Sequence, residues 1–264
     1  LSLVGSEMCI RDRLRGESGT KVLVEISSES GEIREIDLER RSVDLRPVRT
    51  KRLRDDSHTI GYLRITQFSE SVPKKVEEAL QELKEKEVEG LILDLRNNSG
   101  GLVSSGIAVA DSLLSEKPIV ETKNRNGIKD AITSQKETSY DGPMVTLVNK
   151  GTASASEILA GSLQDNGRST LLGEQTYGKG LIQSLKSLGE NSGVAITVAS
   201  YLTPKGNNIQ GQGITPDKLL DLPDASDYGS AEDKWVRNAE LFLDSFLEKE
   251  EVSIQTPEIS NEEI

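Results

Sequence analysis

The 264-residue chain holds a single histidine, His58, and a single cysteine, Cys9. That scarcity excludes clustered His/Cys metal sites, disulfide frameworks and a Cys–His catalytic pair. A Ser–His–Asp triad has only His58 to draw on. Aromatic residues make up 3% of the sequence, and no run of about eighteen apolar residues is present to cross a bilayer, so no stable membrane insertion is expected. Positive charge is also short. The net charge is −12, and fourteen acids against four bases between Asp217 and Ile264 account for most of it. The remainder is almost neutral, which leaves nucleic-acid binding unsupported and makes the acidic end a solubilising segment. The length suits one good-sized core with an appendage.

What is present begins oddly. Residues Leu3 to Asp12, LVGSEMCIRD, look like a translated sequencing adapter, with an ordinary disordered terminus as the alternative, so residues 1–13, Cys9 among them, are kept out of the fold argument. At the other end, Ser230 to Lys249 places Trp235, Ala239, Phe242, Leu243 and Phe246 at helical spacing and predicts one amphipathic helix, with an acidic, frayed tail over 250–264.

Between the ends, KVLVEI and IREIDL flank a turn over Ser27–Gly31. The basic run RPVRTKRLR follows, read either as a contact patch or, more simply, as a solvated linker. From Thr59 strand and helix alternate: GYLRI, a helix with Val72, Val76, Leu80 and Leu83 inward, the apolar run LILDL, and a helix carrying Val103, Ile107, Ala110 and Leu114. PIVET and MVTLV follow, and the pattern predicts an α/β layered core with much parallel pairing. His58, in DDSHT at the entry to the first core strand, reads as an ordinary surface residue.

Three Gly-rich segments follow strand-like runs, where α/β proteins expose backbone to ligands. Asn97-Asn98-Ser99-Gly100-Gly101 leaves backbone N–H groups unshielded for an anion, although a plain tight turn needs the same residues. In Gly151-Thr152-Ala153-Ser154-Ala155-Ser156-Glu157, Ser154 and Glu157 form a capping-box pair. A serine at a helix N-terminus is equally placed as a nucleophile, so two readings compete for one hydroxyl. The third, GEQTYGKG, nearly matches a phosphate-binding loop, but position 180 is Gly where a hydroxyl is required, and LIQSLKSL alternates as a strand. A serine without histidine needs another base, and a lysine desolvated between glycines is the usual substitute, its pKa drawn from about 10.4 toward roughly 7 or 8. Lys179, twenty-five residues after Ser154, has that setting.

Taken together, TASASEILAGSLQDNGRS, GEQTYGKGLIQ, LILDLRNNSGG, IGYLRITQF and GITPD are similar to the carboxyl-terminal processing, or tail-specific, serine proteases, in order from about Leu14 to Asp217. The resemblance implies an α/β fold: a crotonase/ClpP-like layered protease core over 50–220, preceded by a truncated PDZ remnant over 14–49 and followed by a linker and C-terminal helix over 221–249. It implies a serine endopeptidase with Ser154 as nucleophile, Lys179 as general base and Gln183 orienting the lysine. The backbone N–H groups of Gly100 and Ala155 are the implied oxyanion hole, and Ser156 takes a supporting position. No metal or cofactor is implied. The partners implied are protein substrates bound by their C-terminal tails, in the periplasm or thylakoid lumen. NKGTASASEILAG and VAITVASYLTP look closest to cyanobacterial and chloroplast members, one of whose substrates is the photosystem II reaction-centre precursor. A catalytically silent peptide-binding scaffold and acyl-CoA chemistry on a crotonase core are the competing readings; the second leaves Ser154 and Lys179 without a joint purpose.

Overall fold

The computed structural model describes residues 13–28, 31–41, 46–54, 58–127, 129–189, 192–220 and 227–255. The adapter-like residues up to Asp12 and the tail beyond Gln255 lie outside them. The chain divides into two units, Leu1–Arg46 and Pro47–Ile264, against an expected boundary after residue 49. In the first, β1 (Lys21–Ser27) and β2 (Ile33–Glu39) pair antiparallel, Lys21 opposite Glu39 and Ser27 opposite Ile33, as the two extended stretches predict.

The second unit runs through β3 (Val48–Arg54), β4 (Thr59–Ile65), α1 (Val72–Glu85), β5 (Gly90–Asp94), α2 (Val103–Leu113), β6 (Pro118–Asn124) and β7 (Lys129–Thr133). It continues with β8 (Met144–Val148), α3 (Ala155–Asp165), β9 (Thr170–Gly173), β10 (Leu181–Gly189), β11 (Ser192–Leu202), β12 (Lys218–Leu219) and α4 (Lys234–Gln255). Six strands form the main sheet in the order β12-β9-β8-β5-β4-β3, parallel except for the β3–β4 pair. The other four, β10-β11-β6-β7, form an antiparallel sheet that takes in PIVET.

Successive residues of a strand point to opposite faces, and here both faces are covered. Leu63, Ile65, Leu91, Leu93 and Val148 join the cluster that includes Val72, Val76, Leu80 and Leu83 of α1 and Ile158 and Leu159 of α3. Ile60, Tyr62, Ile92, Val145 and Leu147 pack with Trp235, Val236, Ala239 and Leu243 of α4. The result is helix, sheet and helix in three layers. Among the described residues no helix is long and apolar enough to cross a membrane.

Val103, Ile107, Ala110 and Leu114 all pack on the core, although Leu114 lies past the helix end and the buried face of α2 also takes in Ser105, Gly106, Val109, Ser112 and Leu113. Small residues let α3 approach closely: a methyl on Gly106 would stand 3.1 Å from the Ala155 methyl. Three expectations need correction. The basic run is the edge strand β3 rather than a linker, and its exposed charges blunt an open sheet edge. His58 is buried, 7% exposed, with Nδ1 3.2 Å from Asp244 Oδ1 of α4. The last helix continues to Gln255, beyond the predicted Lys249.

Docking of α4 rests on a few apolar side chains, so Leu243→Ala removes one that is fully packed. It is expected to lower the unfolding free energy by about 2 to 5 kcal/mol in urea denaturation; a loss under about 0.5 kcal/mol would mean α4 is not part of the cooperative core.

Candidate active site

All three Gly-rich segments leave the carboxyl ends of neighbouring parallel strands, β5, β8 and β9, where open α/β sheets hold ligands. Ser154 closes the loop after β8 and opens α3 with φ 58° and ψ −118°, a left-handed backbone that non-glycine residues rarely adopt. Ser154 and Glu157 form the expected capping box, in which the Glu157 carboxylate accepts the Ser154 N–H. The Glu157 N–H also donates to the Ser154 carbonyl at 2.8 Å.

The Glu157 carboxylate does more than cap. Only 1% exposed, it accepts the Ser154 N–H (2.9 Å) and the Lys179 N–H (2.9 Å) on Oε2, and the Gly178 N–H (2.7 Å) and Thr176 hydroxyl (2.6 Å) on Oε1. One buried anion therefore fastens the serine turn to the loop carrying the lysine. Tyr201 of β11 adds a second tie: its hydroxyl donates to the Lys179 carbonyl and is hydrogen-bonded to the Ser154 side chain. Burial pushes its phenol up to about 12, against the opposing effect of the Ser154 hydrogen bond and with the Glu157 charge adding to the rise.

The loop after β5 leans on the same turn. The Asn98 carbonyl accepts the Ala153 N–H (3.0 Å) and the hydroxyl of the buried Ser156 (2.9 Å). Gly100, at φ 98°, has no room for a side chain: a Cβ would lie 2.8 Å from Ser154 Cβ and 3.0 Å from the Ala155 nitrogen. Its own N–H donates to Asn98 Oδ1 at 3.0 Å and is thus engaged, whereas no acceptor among the described residues takes the Ala155 N–H. The Lys179 side chain is exposed, and its ammonium has no hydrogen-bond or ion-pair partner among the described residues. The expected desolvation of that lysine is therefore not met: its neighbours Thr176, Gly178 and Gly180 are buried, but its own side chain is exposed. Gln183 lies exposed on β10, two residues beyond Leu181 and on the same face. His58 sits at the opposite end of the sheet, before the start of β4, out of reach of Ser154.

Behind the loop lies a buried ion network. Asp94, at the end of β5, accepts the Tyr62 hydroxyl (2.6 Å), Arg64 (2.9 Å) and three N–H groups of Arg96, at 2.9, 3.0 and 2.7 Å. Arg96 also donates twice to Asp233 (3.1 and 2.6 Å), and all three of these last residues, Asp94, Arg96 and Asp233, are fully buried. Asp233 in turn accepts the Gly229, Trp235 and Val236 N–H groups and so caps α4. Burial pulls the Arg96 guanidinium down, but the two carboxylates hold it above its ordinary range; burial pushes Asp233 up, but Arg96 and the Gly229 N–H hold it below the usual carboxylate range. Neither Tyr201 nor Asp233 stands out in the sequence, since their partners are far along the chain.

A serine in strained backbone at a helix mouth, with a backbone N–H beside it that no described residue accepts and a lysine loop tied to the same carboxylate, is an arrangement suited to nucleophilic acyl transfer. Residues 59–220 match Peptidase family S41. The chain is 49% identical over 215 residues to a carboxyl-terminal-processing protease of Synechocystis sp., covering 80% of this chain and 50% of that protein. It is 38% identical over 226 residues to the C-terminal processing peptidase, chloroplastic, of Tetradesmus obliquus, covering 80% and 48%. A solved structure of a photosystem II D1 C-terminal processing protease superposes with a TM-score of 0.70 at 38% identity, over 78% of this chain and 57% of that one. The chain belongs to peptidase family S41 and spans about half the length of the curated relatives it matches.

Two outcomes are expected from the geometry. Glu157→Gln supplies one acceptor oxygen where two are used and turns an NH₂ toward N–H donors; it should lower the unfolding free energy by about 2 to 4 kcal/mol in urea. Ultraviolet titration of Tyr201→Phe against wild type should remove a tyrosine that ionises near pH 12, leaving the absorbance change near pH 10 unaltered. A difference centred at pH 10 would contradict the burial of that phenol.

Proposed function

We propose that this chain carries the catalytic part of a serine endopeptidase that cleaves near the C-terminus of protein substrates. The observation that carries the reading is the Glu157 carboxylate oxygen that accepts the backbone N–H of both Ser154 and Lys179 at 2.9 Å. In this reading a neutral Lys179 takes the proton of Ser154, and the serine oxygen attacks the scissile carbonyl. The Ala155 N–H holds the tetrahedral anion together with Gly100, whose N–H must leave or share Asn98 Oδ1 to do so. Lys179 then protonates the leaving amine, and water releases the acyl-enzyme. Gln183 orients the lysine, and substrate seated over the loop supplies the cover that the ammonium lacks.

Residues 14–49 are the end of a PDZ domain in this proposal, and 50–220 a crotonase/ClpP-like core followed by the linker, the helix and the acidic tail. The similarity to cyanobacterial and chloroplast proteins supports action in the periplasm or thylakoid lumen, with the photosystem II D1 precursor as one substrate. The exposed Lys179 and the engaged Gly100 N–H favour a second reading, a peptide-binding scaffold without turnover.

Cleavage of a peptide with an apolar C-terminal tail, by protein extended with a complete PDZ domain, separates the two. Wild type should cleave it, with kcat/KM falling by at least about a thousandfold in Ser154→Ala and in Lys179→Ala. Equal cleavage by all three would remove the dyad, and binding without cleavage by wild type would establish the scaffold.

A further inference from the structure

Asp233 and its partner Arg96 stand outside the chemistry just described, yet they connect α4 to the loop that backs Ser154. Arg96 is gripped at every polar point. Its N–H and Nε go to Asp94 Oδ1, its carbonyl accepts Arg64 at 3.1 Å, and its two terminal nitrogens reach Asp233 at 3.1 and 2.6 Å. The next residue, Asn97, is held with φ 54°; its N–H donates to Asn149 Oδ1 at 2.9 Å and its amide donates to the Tyr228 hydroxyl. Arg96 and Arg64 both lie over the Tyr228 ring, at 4.5 and 3.9 Å. Two residues further on, Asn98 carries the carbonyl that anchors Ala153 and Ser156 and the side-chain oxygen that holds the Gly100 N–H.

The network is matched in charge, with two arginines against two aspartates, and its ion pairs are buried. Asp233 lies beyond residues 59–220, the span that matches the family, so nothing in that match assigns it a role. We infer that Asp233 is a positioning residue: by clamping the Arg96 guanidinium it fixes where the Asn97–Gly101 loop presents its backbone to the tetrahedral anion beside Ser154. The first turn of α4 is thereby part of the active-site support, although none of its atoms touches substrate. The inference rests on the Ser154 reading above.

The test compares wild type, Asp233→Asn and Arg96→Lys, each carrying the complete PDZ domain. Asp233→Asn keeps one acceptor oxygen for the Trp235 and Val236 N–H groups and withdraws the charge; Arg96→Lys keeps the charge and withdraws the fork that reaches both carboxylates. Thermal unfolding first establishes that a variant is folded at the assay temperature. Then kcat and KM for the peptide are measured beside the inhibition constant of the matching peptide boronate, which mimics the tetrahedral anion. The expected result is a fall in kcat and in boronate affinity together, by at least about tenfold, with KM within about twofold of wild type; only an interaction strengthened in the transition state gives that split. A folded variant with wild-type kcat and boronate affinity overturns the inference, whatever its melting temperature. Loss of fold in both variants overturns it as well, since the network would then serve the core rather than the loop. Failure of the Ser154 reading is a different result: wild type itself would show no turnover and no boronate affinity dependent on Ser154.

Discussion

One buried carboxylate governs the geometry of the site. A charged group taken out of water is tolerated only when its acceptor capacity is filled, and Glu157 fills its own with donors from two stretches of chain that α3, β9 and the segment after β9 separate. Neither stretch can shift without stranding part of that charge. The capping relation, worth about 1 kcal/mol in an isolated helix, here becomes a tertiary constraint that sets the distance between the serine backbone and the lysine backbone. The left-handed Ser154 is held in the same way: its N–H is tied forward to Glu157 and its carbonyl accepts the Glu157 N–H, so the surrounding structure over-determines a conformation the residue would not choose alone.

The fold explains why such a constraint can be built where it is. Parallel strands buried on both faces bring consecutive β-to-α loops to one edge of the sheet, and β5, β8 and β9 are neighbours there. Their loops then exchange hydrogen bonds directly: Asn98 with Ala153 and Ser156, Thr152 with the Leu95 carbonyl at 2.9 Å, and the Tyr177 N–H with the Thr152 carbonyl at 3.0 Å. Three segments that look like separate turns in the sequence are one hydrogen-bonded surface in space.

That difference marks what could be read in advance. Apolar periodicity located β4, α1, β5 and β8, because burial against the sheet writes itself into apolar runs and regularly spaced apolar positions. It missed the small-residue part of the α2 face, Ser105 and Gly106, which carries little hydrophobic signal, and β3, whose charged sequence is a device of an edge strand. His58 was misread for a related reason: its acidic neighbours in sequence suggested water, while its partner in space, Asp244, lies 186 positions later. Around the candidate site, the helix mouth at Ser154 and the turn at Gly100 and Gly101 were legible because helix starts and paired glycines have local signatures, whereas Ala155 and Gln183 were named only through the family resemblance. Tyr201 and the Asp94–Arg96–Asp233 network have none, since their meaning comes only from pairings between distant positions.

The two halves of the site also differ in rigidity. The serine turn and the Gly100 loop are bound by buried hydrogen bonds, while the lysine is fixed at its backbone and free at its ammonium, at the end of a four-carbon stem. On the proposed reading this division places the remaining conformational change in a side chain rather than in the fold. Rotating Lys179 toward Ser154 and covering it requires no broken main-chain hydrogen bond, because Glu157 and Tyr201 already hold its N–H and carbonyl. On that same proposed reading, a substrate chain lying across the loop would bring the scissile bond and cover the exposed lysine in one step.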